Sequence, residues 1–78
     1  MVTFQRVPVL TGSDDREGCA IFLDGALAAV IVQLDLPEHG RDRGKWFLEA
    51  GFGPCAGSAE LFQSAEAAMA WVAERVAR

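Results

Sequence analysis

The feature that most constrains this chain is the dipeptide Asp24-Gly25, which separates two apolar runs at 19–23 and 26–34. Asp-Gly between apolar segments is a strong signal for a two-residue β-hairpin loop, because both residues tolerate the positive φ angles of a type I′ turn. A loop of that length also sets the register of the two strands. The predicted pairs are Leu23 with Ala26, Ile21 with Ala28 and Cys19 with Val30.

Both faces of this predicted hairpin are apolar, whereas an antiparallel hairpin usually leaves one face to water. On that register the first face carries Cys19, Ile21, Leu23, Ala26, Ala28, Val30, Val32 and Leu34. The second face carries Ala20, Phe22, Leu27, Ala29, Ile31 and Gln33. The pattern therefore predicts a sheet that needs cover on both sides.

Turn signals delimit two further strands, about 2–10 and 45–52, and a C-terminal helix about 64–77. Ser64 is a favourable N-cap residue for that helix. Apolar side chains follow it at helical spacing: Ala65, Ala68, Met69, Val72 and Val76. Because 78 residues cannot hold two cores, residues 1–78 are expected to form a single domain. The predicted class is α+β, an antiparallel sheet of three to four strands with one C-terminal helix packed on one face.

One helix covers only one face of a sheet, so the second face is predicted to lack a cover from the same chain. We expect this face to mediate association, as a homodimer in the first instance or with another protein partner, because small chains gain stability by association and two-fold dimers are the commonest symmetric assembly. The predicted interface residues are Phe22, Leu27, Ile31 and Phe47.

The charge balance disfavours broad binding to nucleic acids or to anionic membranes. Seven basic and eleven acidic residues give a net charge of −4 and an isoelectric point near 4.7, whereas binding of phosphates needs a basic surface. A local alternative is a nucleic-acid-binding hairpin, in which basic residues contact phosphates and an aromatic ring stacks on a base. Its residues are Arg41, Arg43, Lys45 and Trp46, although nearby acidic residues nearly cancel their charge.

The layout of strands, the segment Phe62-Gln-Ser-Ala-Glu-Ala-Ala and a helix bearing Trp71 resembles phage-integrase arm-type DNA-binding domains. In that family three strands present Arg and Trp to the major groove and a helix backs the sheet. The resemblance implies a module that binds nucleic acid through its sheet. Strands 26–34 and 45–52 contain no arginine, so no functional residue of the family is carried over.

Catalytic, metal-binding and cofactor-binding patterns are not legible in the chain, and we expect a non-enzymatic protein without a cofactor. The only histidine, His39, has carboxylates nearby at Asp35, Glu38 and Asp42, but a metal site needs three or four convergent ligands. Cys19 and Cys55 lack a CxxC spacing and are expected to be buried, reduced thiols.

The N-terminal residues show no basic-then-apolar secretory pattern, and the longest apolar run, 26–32, is too short to cross a bilayer. The sequence thus predicts a small cytoplasmic domain, not bound to membranes, that associates through its sheet. A third function class stays open, a small-ligand pocket between helix and sheet or at the dimer seam, lined by Trp46 or Trp71.

Overall fold

The computed structural model describes residues 1–11, 15 and 17–76. It contains an antiparallel sheet whose strand order follows the chain, β1-β2-β3-β4-β5, and one α-helix, α1. The strands are β1 (Val2–Pro8), β2 (Glu17–Leu23), β3 (Ala26–Gln33), β4 (Trp46–Gly51) and β5 (Leu61–Phe62), and α1 is Ala65–Val76. The α+β class is confirmed, with five strands rather than three to four because the two-residue β5 pairs with β4.

The turn between β2 and β3 is the predicted one. Asp24 has φ 49° and Gly25 has φ 85°, and positive φ at both central residues defines a type I′ turn. Leu23 lies opposite Ala26, as expected. The amino terminus is fastened to the same turn, because the Asp24 N–H donates to the Met1 carbonyl at 2.9 Å.

Beyond the turn the predicted register is wrong, because a β-bulge interrupts the β2–β3 ladder between Ile21 and Phe22. Phe22 pairs with Leu27, but Ile21 pairs with Ala29 instead of Ala28. A bulge moves every following side chain of its strand to the opposite face. The faces predicted for 29–33 are therefore exchanged. Because both faces of β3 are apolar, the hydrophobic pattern did not distinguish the two registers.

Helix α1 packs across one face of the sheet with its small residues innermost. Ala68 and Val72 are fully buried, while Met69 and Val76 are half-buried at the flanks. The Ser64 hydroxyl oxygen accepts a hydrogen bond from the Ala67 N–H at 3.0 Å, so Ser64 caps the helix as predicted. The predicted last residue, 77, lies outside the described residues. The small side chains allow the helix axis to approach the sheet closely.

The C-terminal half of α1 is fixed to the sheet edge by an aromatic and cationic stack. The rings of Trp71 and Phe62 lie 5.5 Å apart between centroids, and the Arg75 guanidinium lies 5.0 Å from the Trp71 ring centre. Arg75 also donates hydrogen bonds to the Pro54 carbonyl at 3.2 Å and to the Ser58 hydroxyl at 3.1 Å. These contacts join the helix to the loop that follows β4.

Candidate functional site

The sheet side opposite α1, here called the far face, carries three of the four residues predicted for an interface. Phe22 lies opposite Leu27 in the β2–β3 ladder, and Phe47 lies opposite Val32 in the β3–β4 ladder. Leu27 is 41% exposed, Phe47 is 38% exposed and Phe22 is half-buried. Large apolar side chains on this face thus retain open surface.

Ile31 lies on the other side of the sheet. It is 0% exposed and belongs to the core cluster that α1 covers, together with its ladder partner Cys19. The bulge at Ile21 and Phe22 causes the exchange, because it turns Ile31 toward the helix. The face assigned to Ile31 from the sequence is therefore wrong.

Leu61 is a further residue of the far face, in addition to the residues predicted for the interface. It lies directly opposite Phe47 and is 41% exposed, while the next residue, Phe62, is buried in the core. A segment of two residues shows no periodicity from which the sequence alone could assign Leu61 to this face. We call the partly exposed apolar row on this side the far-face stripe: Phe22, Leu27, Val30, Phe47 and Leu61.

One end of the far face is covered by the chain itself. A Cβ atom built on Gly18 would lie 2.4 Å from Cγ2 of Val9, so Val9 packs directly on the Gly18 backbone. Val32, the partner of Gly18 in β3, is buried. The segment after β1 therefore closes this end of the face, and the far-face stripe lies beyond it.

On the helix side, a cleft of about 440 Å³ opens between the first turn of α1 and the sheet. Strands β1 to β4 all contribute to it. Its principal side chains are Phe4, Arg6, Cys19, Trp46, Glu66 and Met69. Of the two tryptophans proposed for a ligand pocket, Trp46 lines this cleft, whereas Trp71 packs against Phe62.

The residues of the nucleic-acid alternative do not form one basic surface. The Lys45 ammonium pairs with Asp42 at 3.0 Å, and the Arg43 Nε–H donates to the Asp35 carbonyl at 2.8 Å. Arg41 is exposed. Trp46 belongs to the helix-side core and is 7% exposed, at the cleft described above. The predicted phosphate contacts lie in the loop before β4, whereas the predicted stacking ring is part of the core.

His39 is paired with Asp15, and not with the carboxylates that lie near it in the sequence. Its Nε2 lies 2.5 Å from an Asp15 carboxylate oxygen, and the other oxygen accepts hydrogen bonds from the backbone N–H groups of Asp35 and Leu36 at 2.8 and 3.1 Å. The backbone N–H of Asp35, with His39, holds the pKa of the Asp15 carboxyl below its usual range. The pair fastens the loop before β2 to the loop after β3. No sequence spacing indicates such a contact.

Cys19 and Cys55 are both buried free thiols, as expected. Burial raises the pKa of each thiol, so both are held in the neutral form. Cys55 belongs to the core beside α1, and Cys19 lies at the floor of the helix-side cleft. A neutral, buried thiol is a poor nucleophile.

Among residues 1–11, 15 and 17–76, no group of three His, Cys, Asp or Glu side chains is placed to hold a metal ion. Within the same part of the chain, α1 falls short of the length and apolarity that a membrane-crossing helix requires. The chain matches no protein-family model, and comparisons with curated proteins and with solved structures likewise give no match.

Proposed function

We propose that this protein is a non-enzymatic, cytosolic domain that forms a homodimer through the far-face stripe. The observation that carries the proposal is the adjacent pair Phe47 and Leu61, two large apolar side chains that lie opposite each other with about two-fifths of their surface exposed. Exposed apolar surface of this kind marks partner surfaces on small proteins.

A second copy of the chain is the favoured occupant because the stripe is uncharged. The protein carries a net charge of −4, but none of that charge belongs to Phe22, Leu27, Val30, Phe47 or Leu61. Two copies related by a two-fold axis would oppose these residues without burying like charges. Thr3 and Gln5 of the edge strand β1 lie beside the stripe and supply a polar rim.

The cytosolic setting is supported by the two thiols. Cys19 and Cys55 are free and both are part of the core. Free cysteines persist in the reducing cytosol, whereas secreted domains of this size usually rely on disulfides.

Sedimentation velocity at about 5 to 100 µM tests the dimer, since a specific dimer with a micromolar dissociation constant populates this range. We expect a species of twice the 8.4 kDa chain mass. Phe47→Glu and Leu61→Glu should each convert it to the monomer, because each would bury an unpaired carboxylate. Circular dichroism of both variants establishes that the fold is kept.

The matched control is Phe4→Glu, which replaces an exposed aromatic residue on the opposite side of the sheet. It should leave the dimer intact. A wild-type protein that sediments only as an 8.4 kDa species would overturn the proposal, as would a folded Phe47→Glu variant that stays dimeric.

A further inference from the structure

The helix-side cleft is open to solvent and lies between the first turn of α1 and the sheet. Its volume is about 440 Å³. Pockets for small ligands fall within about 300 to 1,000 Å³. The cleft lies on the opposite side of the sheet from the far-face stripe, so an inference about it does not depend on the proposed dimer.

The lining of the cleft is mixed. Trp46, Cys19 and Met69 are its more buried apolar members, Phe4 lies at the mouth on the edge strand β1, and Gln33, Gln63 and Ser64 add polar groups. Phe4 is 52% exposed even though its strand position points it to the helix side, opposite Ile21. An apolar group of a ligand that entered the cleft would cover this ring and remove its surface from water.

Among the residues that the structure describes, the rim of the cleft carries one cation and one anion. Arg6 comes from β1, and Glu66 comes from the first turn of α1. Both charges affect the pKa of the Cys19 thiol at the floor of the cleft: Arg6 lowers this pKa and Glu66 raises it. Arg6 lies 3.9 Å from Glu17, but both side chains are about two-thirds exposed, so this pair is weak and leaves the guanidinium available.

We propose that this cleft binds a small zwitterion with a large apolar or aromatic side chain, of the α-amino-acid class. The ligand carboxylate pairs with Arg6, its ammonium group pairs with Glu66, and its side chain packs between Phe4 and Trp46. Charge-assisted hydrogen bonds of this kind are the strong ones.

The two rim charges distinguish this class from others. A purely apolar ligand would displace water from Arg6 and Glu66 without replacing the hydrogen bonds of that water. Desolvation of a charged group without such replacement costs free energy. A simple anion would be attracted by Arg6 but repelled by the carboxylates of Glu66 and the neighbouring Glu17. A ligand with several phosphates would find one cation, Arg6, among the described residues of this rim, whereas phosphate binding usually uses several donors.

Two-dimensional ¹H–¹⁵N NMR of the wild-type protein titrated with L-phenylalanine tests the site. We expect saturable shifts of the Trp46 indole N–H and of backbone amides around residues 4–6, 19 and 64–69. The Trp71 indole N–H should shift little, because Trp71 does not line the cleft. Three related compounds each lack one recognised group: glycine lacks the apolar side chain, phenylacetate lacks the ammonium group and phenethylamine lacks the carboxylate. Each should bind about tenfold more weakly than L-phenylalanine, or worse.

Arg6→Gln and Glu66→Gln should each weaken L-phenylalanine binding by about tenfold, because each removes one charged partner. Glu74→Gln on the same helix, about two turns further on, is the matched control and should leave binding unchanged. The inference is overturned if neither L-phenylalanine nor L-leucine gives saturable shifts up to about 10 mM, a weak-binding limit. It is equally overturned if phenylacetate binds as tightly as L-phenylalanine, or if the shifts map to Phe47 and Leu61.

Discussion

Gly51 shows how one hydrogen atom in place of a methyl group decides local packing. A Cβ atom at this position would lie 2.0 Å from the Cys55 carbonyl oxygen. Gly51 is the last residue of β4, and Cys55 ends the short 3-10 turn Gly53–Cys55. The close approach lets that turn fold back against the strand end and places the Cys55 side chain in the core. Glycine is needed here because there is no space for a side chain. Its backbone freedom is not the reason, because the φ angle of Gly51 is not positive.

Gly51→Ala should therefore destabilise the protein by about 1 to 3 kcal/mol, the usual cost of forcing an extra carbon into packed structure. The free energy of unfolding from urea denaturation gives the measurement. Glu49→Ala, two residues earlier and exposed, is the control and should change stability by less than about 0.5 kcal/mol. Equal stability of Gly51→Ala and the wild type would contradict the close contact.

Asp15 gives a pH-dependent contribution to stability. Its folded-state pKa lies below the usual value of about 4, principally because its carboxylate accepts a hydrogen bond from the Asp35 N–H. The carboxylate therefore contributes its full stability above the unfolded-state pKa, and this contribution is lost as the pH falls through the folded-state value.

Asp15→Asn should be less stable than the wild type at pH 7, because the charged partner of His39 and of two backbone N–H groups is gone. The difference in the free energy of unfolding between the two proteins should shrink as the pH is lowered from about 5 toward 2, since the wild type then loses the same charge. Urea denaturation of both proteins across that range measures it. A difference that stays constant with pH would show that Asp15 does not act through its charge.

At the scale of elements, α1 is held by a narrow strip of small residues. Ala68 and Val72 are one turn apart and fully buried, and Ala65 is packed against the same core cluster. Met69 and Trp71 flank this strip, and Trp71 stacks on Phe62 of β5. The helix thus joins both halves of the sheet, and its contact with β5 explains why a two-residue strand can be held in place.

Val72→Ala should cost roughly 1 to 3 kcal/mol, the sum of lost apolar burial and the cavity that remains. Glu74→Ala, on the exposed side of the same helix, should change stability by less than about 0.5 kcal/mol. Chemical denaturation of the two variants compares them directly. A larger loss for Glu74→Ala would mean that the assigned buried face of α1 is wrong.

At the scale of the whole molecule, the two faces of the sheet are covered to different extents. The helix-side face carries α1 and the core, with an open cleft near the first turn of the helix. The far face is closed at one end by Val9 and open along the far-face stripe. The core of a chain this small supplies little stability alone, so the proposed dimer would couple association to folding.

The thermal midpoint of unfolding should therefore rise with protein concentration between about 5 and 100 µM, because mass action stabilises a folded dimer. For Phe47→Glu the midpoint should be lower and independent of concentration. Differential scanning calorimetry of both proteins at matched concentrations provides the comparison. A wild-type midpoint that does not change with concentration would count against coupling of folding to association.

The sequence by itself determined the local elements of this protein. Asp24-Gly25 specified the type I′ turn because few other residues accept positive φ at both positions. Ser64 and the helical spacing of apolar residues specified α1.

Only the tertiary structure decided in which register the strands pair and which surfaces stay exposed. The bulge at Ile21 and Phe22 exchanged the faces of β3 and moved Ile31 into the core, since two apolar faces do not favour one register over the other. The pairing of Asp15 with His39 joins residues 24 positions apart, and the cleft depends on where the first turn of α1 lies over the sheet. Contacts of this kind depend on the angles at which elements pack, which no local pattern of residues records.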